Sequence, residues 1–262
     1  MSIERDLAAA AQQSESVSDI INIASTAEAM AVTLLGAAIA GASGYDGGKG
    51  LAAPLVTILK AAQAAEQAHY NFLTGAGAKP LTLTFNIPDP KIATDSKTLF
   101  STIEALETAF ISAYEAAALE FAQMRSPGLV KVAVQIGGTE AEHRALARLA
   151  QGDPLPHNVA FEATQFSTVG DAAAALEKLG FIGGSGTPVK YQDFTGKVDF
   201  SGVMNLTPGG VAASTAMAGT APSGGGAMPA SMPRTGGIPL GAVIAAGAGL
   251  ALVGTGLRKA TK

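Results

Sequence analysis

Residues 66–69 read Glu-Gln-Ala-His, and residues 140–143 read Glu-Ala-Glu-His. Residues three apart on an α-helix lie on the same face, so each stretch directs a carboxylate and an imidazole to one point. Both stretches lie in long patterns in which apolar residues recur at steps of three and four, as on a buried helix face. Two such pairs, with one inward-facing Glu from each of two further helices, form the ligand set of a dinuclear metal site in a four-helix bundle.

The register of the apolar residues places ionisable side chains on the buried faces of four predicted helices, a Glu–His pair on two of them and a single Glu on the other two. In each helix these side chains interrupt, near its middle, the row of apolar residues on the buried face, which we call its seam. A lone buried carboxylate is costly unless it is paired or bound to a metal, and several in one core repel each other. A pair of divalent cations would remove that repulsion. The predicted metal ligands are Glu28, Glu66, His69, Glu107, Glu140 and His143.

With these ligands in this order, residues 17–151 resemble the ferritin-like superfamily of di-iron carboxylate proteins. The chain is more similar to a bacterial ferritin-like domain family, whose members are often exported, than to cage-forming ferritins. Residues 158–162, Asn-Val-Ala-Phe-Glu, also resemble the segment that follows the bundle in that family. The resemblance implies an all-α fold, an up-down four-helix bundle with one long crossover. It also implies two bound iron ions, with manganese as the alternative, since carboxylate and imidazole ligands suit both metals.

Composition and turn residues divide the chain into six segments. A crossover at residues 75–96 is predicted from Pro80, Pro88 and Pro90. In the irregular extension, we expect a short helix at 171–179 and extended stretches at 189–191 and 197–200. The segments are a polar N-terminal tail (1–16), the bundle (17–151), an irregular extension packing on it (152–205), a flexible linker rich in Gly, Ala, Pro and Ser (206–237), a transmembrane helix (238–257) and a basic tail (258–262).

The C-terminal segment predicts a membrane anchor. Residues 238–257 carry no charge and are long enough to span the hydrocarbon core as a helix. The basic residues that follow favour a cytoplasmic tail, and therefore an extracytoplasmic bundle at the cell surface or membrane. Residues 232–236, Met-Pro-Arg-Thr-Gly, resemble the LPxTG sorting signal with Met in place of Leu, which implies sortase as a partner. Because residues 1–30 show no export signal, a tail anchor with a cytoplasmic bundle stays the alternative.

Other features narrow the range of functions. A net charge of −4 without a basic patch argues against nucleic acid as a partner, and the absence of Cys excludes disulfides and thiolate metal sites.

Tyr114 lies on the seam of Glu107 and is predicted to be a core aromatic with a bonded hydroxyl, with a redox role as the alternative. His157 is predicted to lie at the surface. The acidic residues expected to be solvated, because they lie off the seams, are Glu104, Glu115, Glu120 and Glu142.

The leading hypothesis is a surface-tethered protein with a dinuclear metal site, acting in iron oxidation or in the chemistry of O2 or peroxide. The alternatives are a manganese catalase-like enzyme and a non-catalytic structural or interaction module of the cell surface. Glu66 and Glu107 are candidate bridging ligands, although the sequence does not assign the bridge. It also leaves open whether the protein is an enzyme, and what its substrate, reductant and oligomeric state are.

Overall fold

The computed structural model describes residues 15–154 and 156–209, and within them the chain is mostly helical. The predicted transmembrane helix, its basic tail and the sorting motif lie outside the described residues. Short helical turns lie at Ala42–Gly44, Tyr45–Gly48, Pro90–Ala93, Tyr191–Asp193 and Thr195–Lys197. The longer elements are α1 (Val17–Ala40), α2 (Ala53–Gly75), β1 (Thr84–Ile87), α3 (Ser96–Gln123), α4 (Pro127–Ala150), α5 (Val169–Lys178) and β2 (Thr187–Lys190).

Local sequence fixes where the four long helices begin. At α1, the Ser16 hydroxyl accepts a hydrogen bond from the Asp19 N–H at 3.1 Å, and the Asp19 carboxylate accepts one from the Ser16 N–H. This reciprocal pair satisfies two N–H groups that the first helical turn leaves unbonded. The carboxylate of Asp95 caps α3 in a similar way, and α2 and α4 each have a Pro in the first turn. Proline is favoured there because no helical hydrogen bond is lost.

The four long helices pack as two pairs, α1 with α2 and α3 with α4. Two apolar clusters result, one around Met30 and Phe100 and the other around Ile20 and Phe121. Among the described residues, α1 alone is long and apolar enough to cross a membrane, but most of it is buried in the protein. We therefore interpret α1 as a core helix.

Burial confirms the predicted seams. On α4 every seam position is buried, including Leu129 and Ile136. On the other helices, the apolar seam residues Ala24, Leu55 and Ile103 and the predicted ligand His69 are only half-buried. Ala24 of α1 and Ile103 of α3 line small cavities between these two helices, which pack less tightly on each other than the helices within each pair do.

The crossover contains a strand that the sequence did not predict. Strand β1 pairs antiparallel with β2, with Phe85 opposite Val189. Phe85 is fully buried and Ile87 nearly so, which anchors the crossover to the bundle. Of the two stretches predicted as short strands or extended wraps, the first overlaps β2, and the second forms no strand and begins in the helical turn Thr195–Lys197. Because the partner of β1 lies about a hundred residues further on, local sequence patterns give no sign of the pairing.

The segment after the bundle is held against it by polar contacts. The Arg144 guanidinium donates to both carboxylate oxygens of Glu162, one at 2.7 Å. The buried Ser112 hydroxyl accepts the Gln165 N–H at 2.6 Å. Further along, α5 packs on both α1 and α3. The extension therefore covers the seam between these two helices.

The prediction that four acidic residues outside the seams are solvated is wrong for two of them. Glu120 is 3% exposed, not solvated, and its carboxylate accepts the N–H groups of Glu15 at 3.2 Å and Val169 at 3.4 Å. Glu104 is half-buried and pairs with Arg148 at 3.4 Å. For Glu120 the prediction failed because Glu15 and Val169, which lie far away in sequence, supply the cover. For Glu104 it failed because Arg148 of α4 pairs with the carboxylate. Glu115, Glu142 and His157 are exposed as predicted.

We expect Glu120→Ala to lower the free energy of unfolding by about 1–3 kcal/mol, because two N–H groups lose their buried acceptor. Metal content should not change, since Glu120 lies outside the cluster described below. Denaturant unfolding of this variant beside Glu142→Ala measures the effect. Surface changes such as Glu142→Ala stay within about 0.5 kcal/mol. Equal stability of the two variants would mean that Glu120 has no structural role.

Candidate metal centre

The structure brings the six predicted ligands together midway along the bundle. Each of the four glutamates is at most 3% exposed, and His143 is 8% exposed. The His69 side chain is 14% exposed and lies nearest to solvent. One residue or pair comes from each long helix: Glu28 from α1, Glu66 and His69 from α2, Glu107 from α3, and Glu140 and His143 from α4.

The six side chains form two overlapping groups, in each of which one potential ligand atom per residue lies within 4.8 Å of all the others. Glu28 and His69 belong to one group, and Glu107 and His143 to the other. Glu66 and Glu140 belong to both. The first group is therefore Glu28, Glu66, His69 and Glu140, and the second is Glu66, Glu107, Glu140 and His143.

The two shared carboxylates present opposite oxygens to the two groups. His69 Nδ1 lies 3.4 Å from Oε2 of Glu66 and 3.3 Å from Oε1 of Glu140. His143 Nδ1 lies 2.8 Å from Oε1 of Glu66 and 3.1 Å from Oε2 of Glu140. This arrangement favours Glu66 and Glu140 as bridging carboxylates. The earlier candidate Glu107 lies at one end, since it belongs to a single group.

Several carboxylate oxygens of the cluster lack a hydrogen-bond partner among the described residues. They are both oxygens of Glu66, Oε2 of Glu107 and Oε1 of Glu140. Each Nδ1 has at most one hydrogen to donate, and hydrogen-bond geometry is met toward Glu28 for His69 and toward Glu140 for His143. A buried carboxylate oxygen without a partner is costly. Four carboxylates also balance the charge of two divalent cations, so the residues fit a dinuclear metal site.

In the absence of metal, most of the clustered groups with a shifted pKa keep their protons to a higher pH than usual. Burial raises the pKa of Glu28 and Glu107 well above the usual value, and the charges of neighbouring glutamates add to the shift. Burial alone would lower the pKa of His69 and His143, but the surrounding carboxylates outweigh it and raise both. For Glu66, burial acts upward and is outweighed by His143, so its pKa lies well below the usual value. Metal binding must therefore displace protons.

Tyr114 supports the cluster from α3. Its buried hydroxyl donates a hydrogen bond to Glu28 Oε1. Burial, followed by the charge of Glu28, raises the pKa of this phenol, which keeps it a donor. The predicted core aromatic with a bonded hydroxyl is confirmed. A hydrogen bond of this kind fixes the orientation of a potential ligand.

A group of polar contacts next to the cluster, made by Gln67 of α2, was not predicted from the sequence. Gln67 adjoins Glu66 and donates to the Tyr191 hydroxyl at 2.6 Å, while its own Oε1 accepts from Thr195 at 2.7 Å. The Tyr70 and Tyr191 rings also contact each other, with centroids 4.7 Å apart. These contacts hold the helical turn that carries Glu66. The only signal in the sequence was a glutamine beside the seam, which does not reveal its distant partners.

Comparison with known proteins agrees with the geometry of this cluster. No curated protein and no solved structure matches the chain significantly. The family model of the ferritin-like domain matches residues 16–153, more than half of the chain, and this range contains α1 to α4 with all six clustered residues. The chain therefore belongs to the ferritin-like domain family.

Proposed function

We propose that the cluster binds two iron ions and that the protein is an oxidoreductase using O2 or peroxide. The observation that carries this proposal is the sharing of Glu66 and Glu140 between two ligand groups. A single ion would use one group and leave buried carboxylates of the other uncompensated. Membership of the ferritin-like domain family supports the same interpretation.

The ligand types support iron. Carboxylate oxygens and imidazole nitrogens suit iron and manganese, and the described cluster contains no soft ligand. When bound, two iron ions supply one electron each to an oxidant. The chain would hold one ion with Glu28 and His69 and the other with Glu107 and His143, and Glu66 and Glu140 would span both.

The remaining residues position these ligands and exclude water. Tyr114 orients Glu28 through its hydroxyl, and Gln67 holds the turn of α2 that carries Glu66. The apolar clusters on either side of the site keep it dry. In a dry site, a displaced proton must move to another ionisable side chain. Until it binds metal itself, His69, the most exposed residue of the cluster, is placed to take up such a proton and release it to solvent.

Oxygen uptake tests the proposal. Metal-free full-length protein is mixed anaerobically with Fe²⁺ and then exposed to O2, while an electrode records oxygen and absorbance records ferric iron. We expect rapid uptake in proportion to bound iron, well above the rate of Fe²⁺ in buffer. Glu66→Ala serves as the matched protein. Bound metal with no uptake of O2 and no turnover of peroxide would contradict the oxidoreductase and favour a structural module.

We also propose that residues 238–257 anchor the protein in a membrane, with the bundle outside the cytoplasm. The support is the length of this uncharged stretch and the basic residues after it. Protease added to intact cells should digest the bundle. Survival of the bundle until lysis would contradict the exported orientation and favour a tail anchor.

A further inference from the structure

Two small apolar cavities lie along the seam between α1 and α3. Each has a volume of about 30 Å³. One of them, which we name the Glu107 cavity, reaches the metal-binding cluster. Its walls include Ala31, Leu35, Leu99, Ile103, Leu106 and Glu107.

The walls of the Glu107 cavity offer very few hydrogen-bond partners to a polar molecule. Among the described residues that line it, Thr102 and Glu107 alone have polar side chains. The Thr102 hydroxyl already donates to the Thr98 carbonyl at 2.8 Å. Glu107 presents a buried carboxylate whose Oε2 has no hydrogen-bond partner among the described residues. An apolar space therefore adjoins Glu107, one of the six clustered residues.

A cavity with these walls selects its guest by polarity. The cavity is partly open to the surface, and its volume of about 30 Å³ exceeds the ~10–15 Å³ needed for one water. Its apolar walls nevertheless favour an apolar guest such as xenon over ordered water. Hydrogen peroxide could keep at most one hydrogen bond, to Glu107, and would lose its others on entering, and a hydrated cation would lose its water shell. Dioxygen has no such bonds to lose.

We propose that the Glu107 cavity is the site where dioxygen, rather than peroxide, waits next to the metal centre. This inference rests on the proposed function and names its oxidant. The residues that line the cavity would then control the access of dioxygen to the cluster.

Phe110, one turn after Glu107 on α3, lines both this cavity and the second one. The second cavity lies under α5 and does not include Glu107 among its lining residues.

The helix α1 offers a matched pair of substitutions. Ala31 lines the Glu107 cavity, and Ala27, one turn earlier on the same face, lines the second cavity. Ala31→Leu fills the first cavity and Ala27→Leu fills the second, with the same chemical change in each. Ala31→Val is a milder filling, for use if the larger residue prevents folding.

Xenon provides a test that needs no metal. Metal-free full-length protein is equilibrated under xenon pressure, and the shifts of leucine and isoleucine methyl signals are followed by NMR. We expect xenon to shift the methyl signals of Leu35, Ile103 and Leu106 in the wild type and in Ala27→Leu. In Ala31→Leu these shifts should be lost.

Oxidation kinetics then link the cavity to the chemistry. In the iron-loaded protein, Ala31→Leu should slow the reaction with O2 about tenfold, which corresponds to ~1.4 kcal/mol on the barrier. Iron content and the rate of Ala27→Leu should stay unchanged. Xenon absent from the Glu107 cavity of a protein that binds iron would overturn the cavity proposal alone. If Ala31→Leu displaced xenon but did not slow the reaction with O2, the cavity proposal would also be overturned. A protein that takes up xenon but binds no iron would overturn the proposed function, and with it this use of the cavity.

Discussion

Glu66→Ala and His143→Ala are each expected to abolish dinuclear metal binding. Glu66 contributes to both ligand groups, so its removal leaves neither group complete. His143 belongs to one group, and its loss removes the one nitrogen ligand of that group. Mutation of groups that merely support ligands already costs about 10–100-fold in metal affinity, and loss of a ligand should cost more. Elemental analysis after gel filtration measures the bound metal, and circular dichroism checks that helicity is kept.

Glu142→Ala is the matched control for both variants. Glu142 lies one residue before His143 on α4, but its side chain is exposed. The Glu142→Ala variant removes a carboxylate from the same helical turn without changing any residue of the cluster. Metal content should therefore equal that of the wild type. If Glu142→Ala lost metal as fully as Glu66→Ala, the assignment of the ligands would be wrong.

The metal-free protein is expected to lose stability as the pH rises from about 5 to 9, and metal should restore more stability at the higher pH. Glu28 and Glu107 have pKa values raised above the usual 4.5, so their ionisation in the folded state becomes unfavourable as the pH rises. His69 and His143 have pKa values raised above the usual 6.5. Their stabilising contribution is complete below 6.5 and is lost as the pH passes their folded pKa. Glu66, whose pKa is lowered, contributes stability that is complete above about 4.5 and is lost only as the pH falls below that value, outside this range.

Denaturant unfolding at pH 6 and pH 8.5, with and without metal, measures this effect. Free metal at about a thousand times its dissociation constant adds ~4 kcal/mol to the free energy of unfolding. Protons compete with metal for the same side chains, so the added free energy should be larger at pH 8.5. Glu107→Gln removes one buried group that would otherwise have to ionise as the pH rises, and it should reduce the loss of stability in the metal-free protein. Stability of the metal-free protein that rises over this pH range would contradict the account.

The sequence predicted the bundle and the clustered residues because both depend on a local period. Steps of three and four along each helix place Glu28, Glu66 and Glu140 on buried faces, and the structure confirms their burial. The start of α1 was also predictable, since Ser16 and Asp19 form a cap within one turn.

Other features depend on contacts between distant parts of the chain. The pairing of Phe85 with Val189 and the burial of Glu120 under the extension both join segments that no local pattern relates. The position of Glu66 and Glu140 in both ligand groups is a feature of the same kind. A helical register shows that Glu107 and Glu140 both face the core, but only the packing of four helices shows that Glu140 lies between both histidines.

The number of metal ions per chain tests the central claim most directly. Full-length metal-free protein is titrated anaerobically with Fe²⁺, and bound iron is determined by elemental analysis after removal of free metal. The arrangement of Glu66 and Glu140 between two ligand groups predicts saturation at two ions per chain. Saturation below about half an ion per chain would contradict a dinuclear carboxylate site.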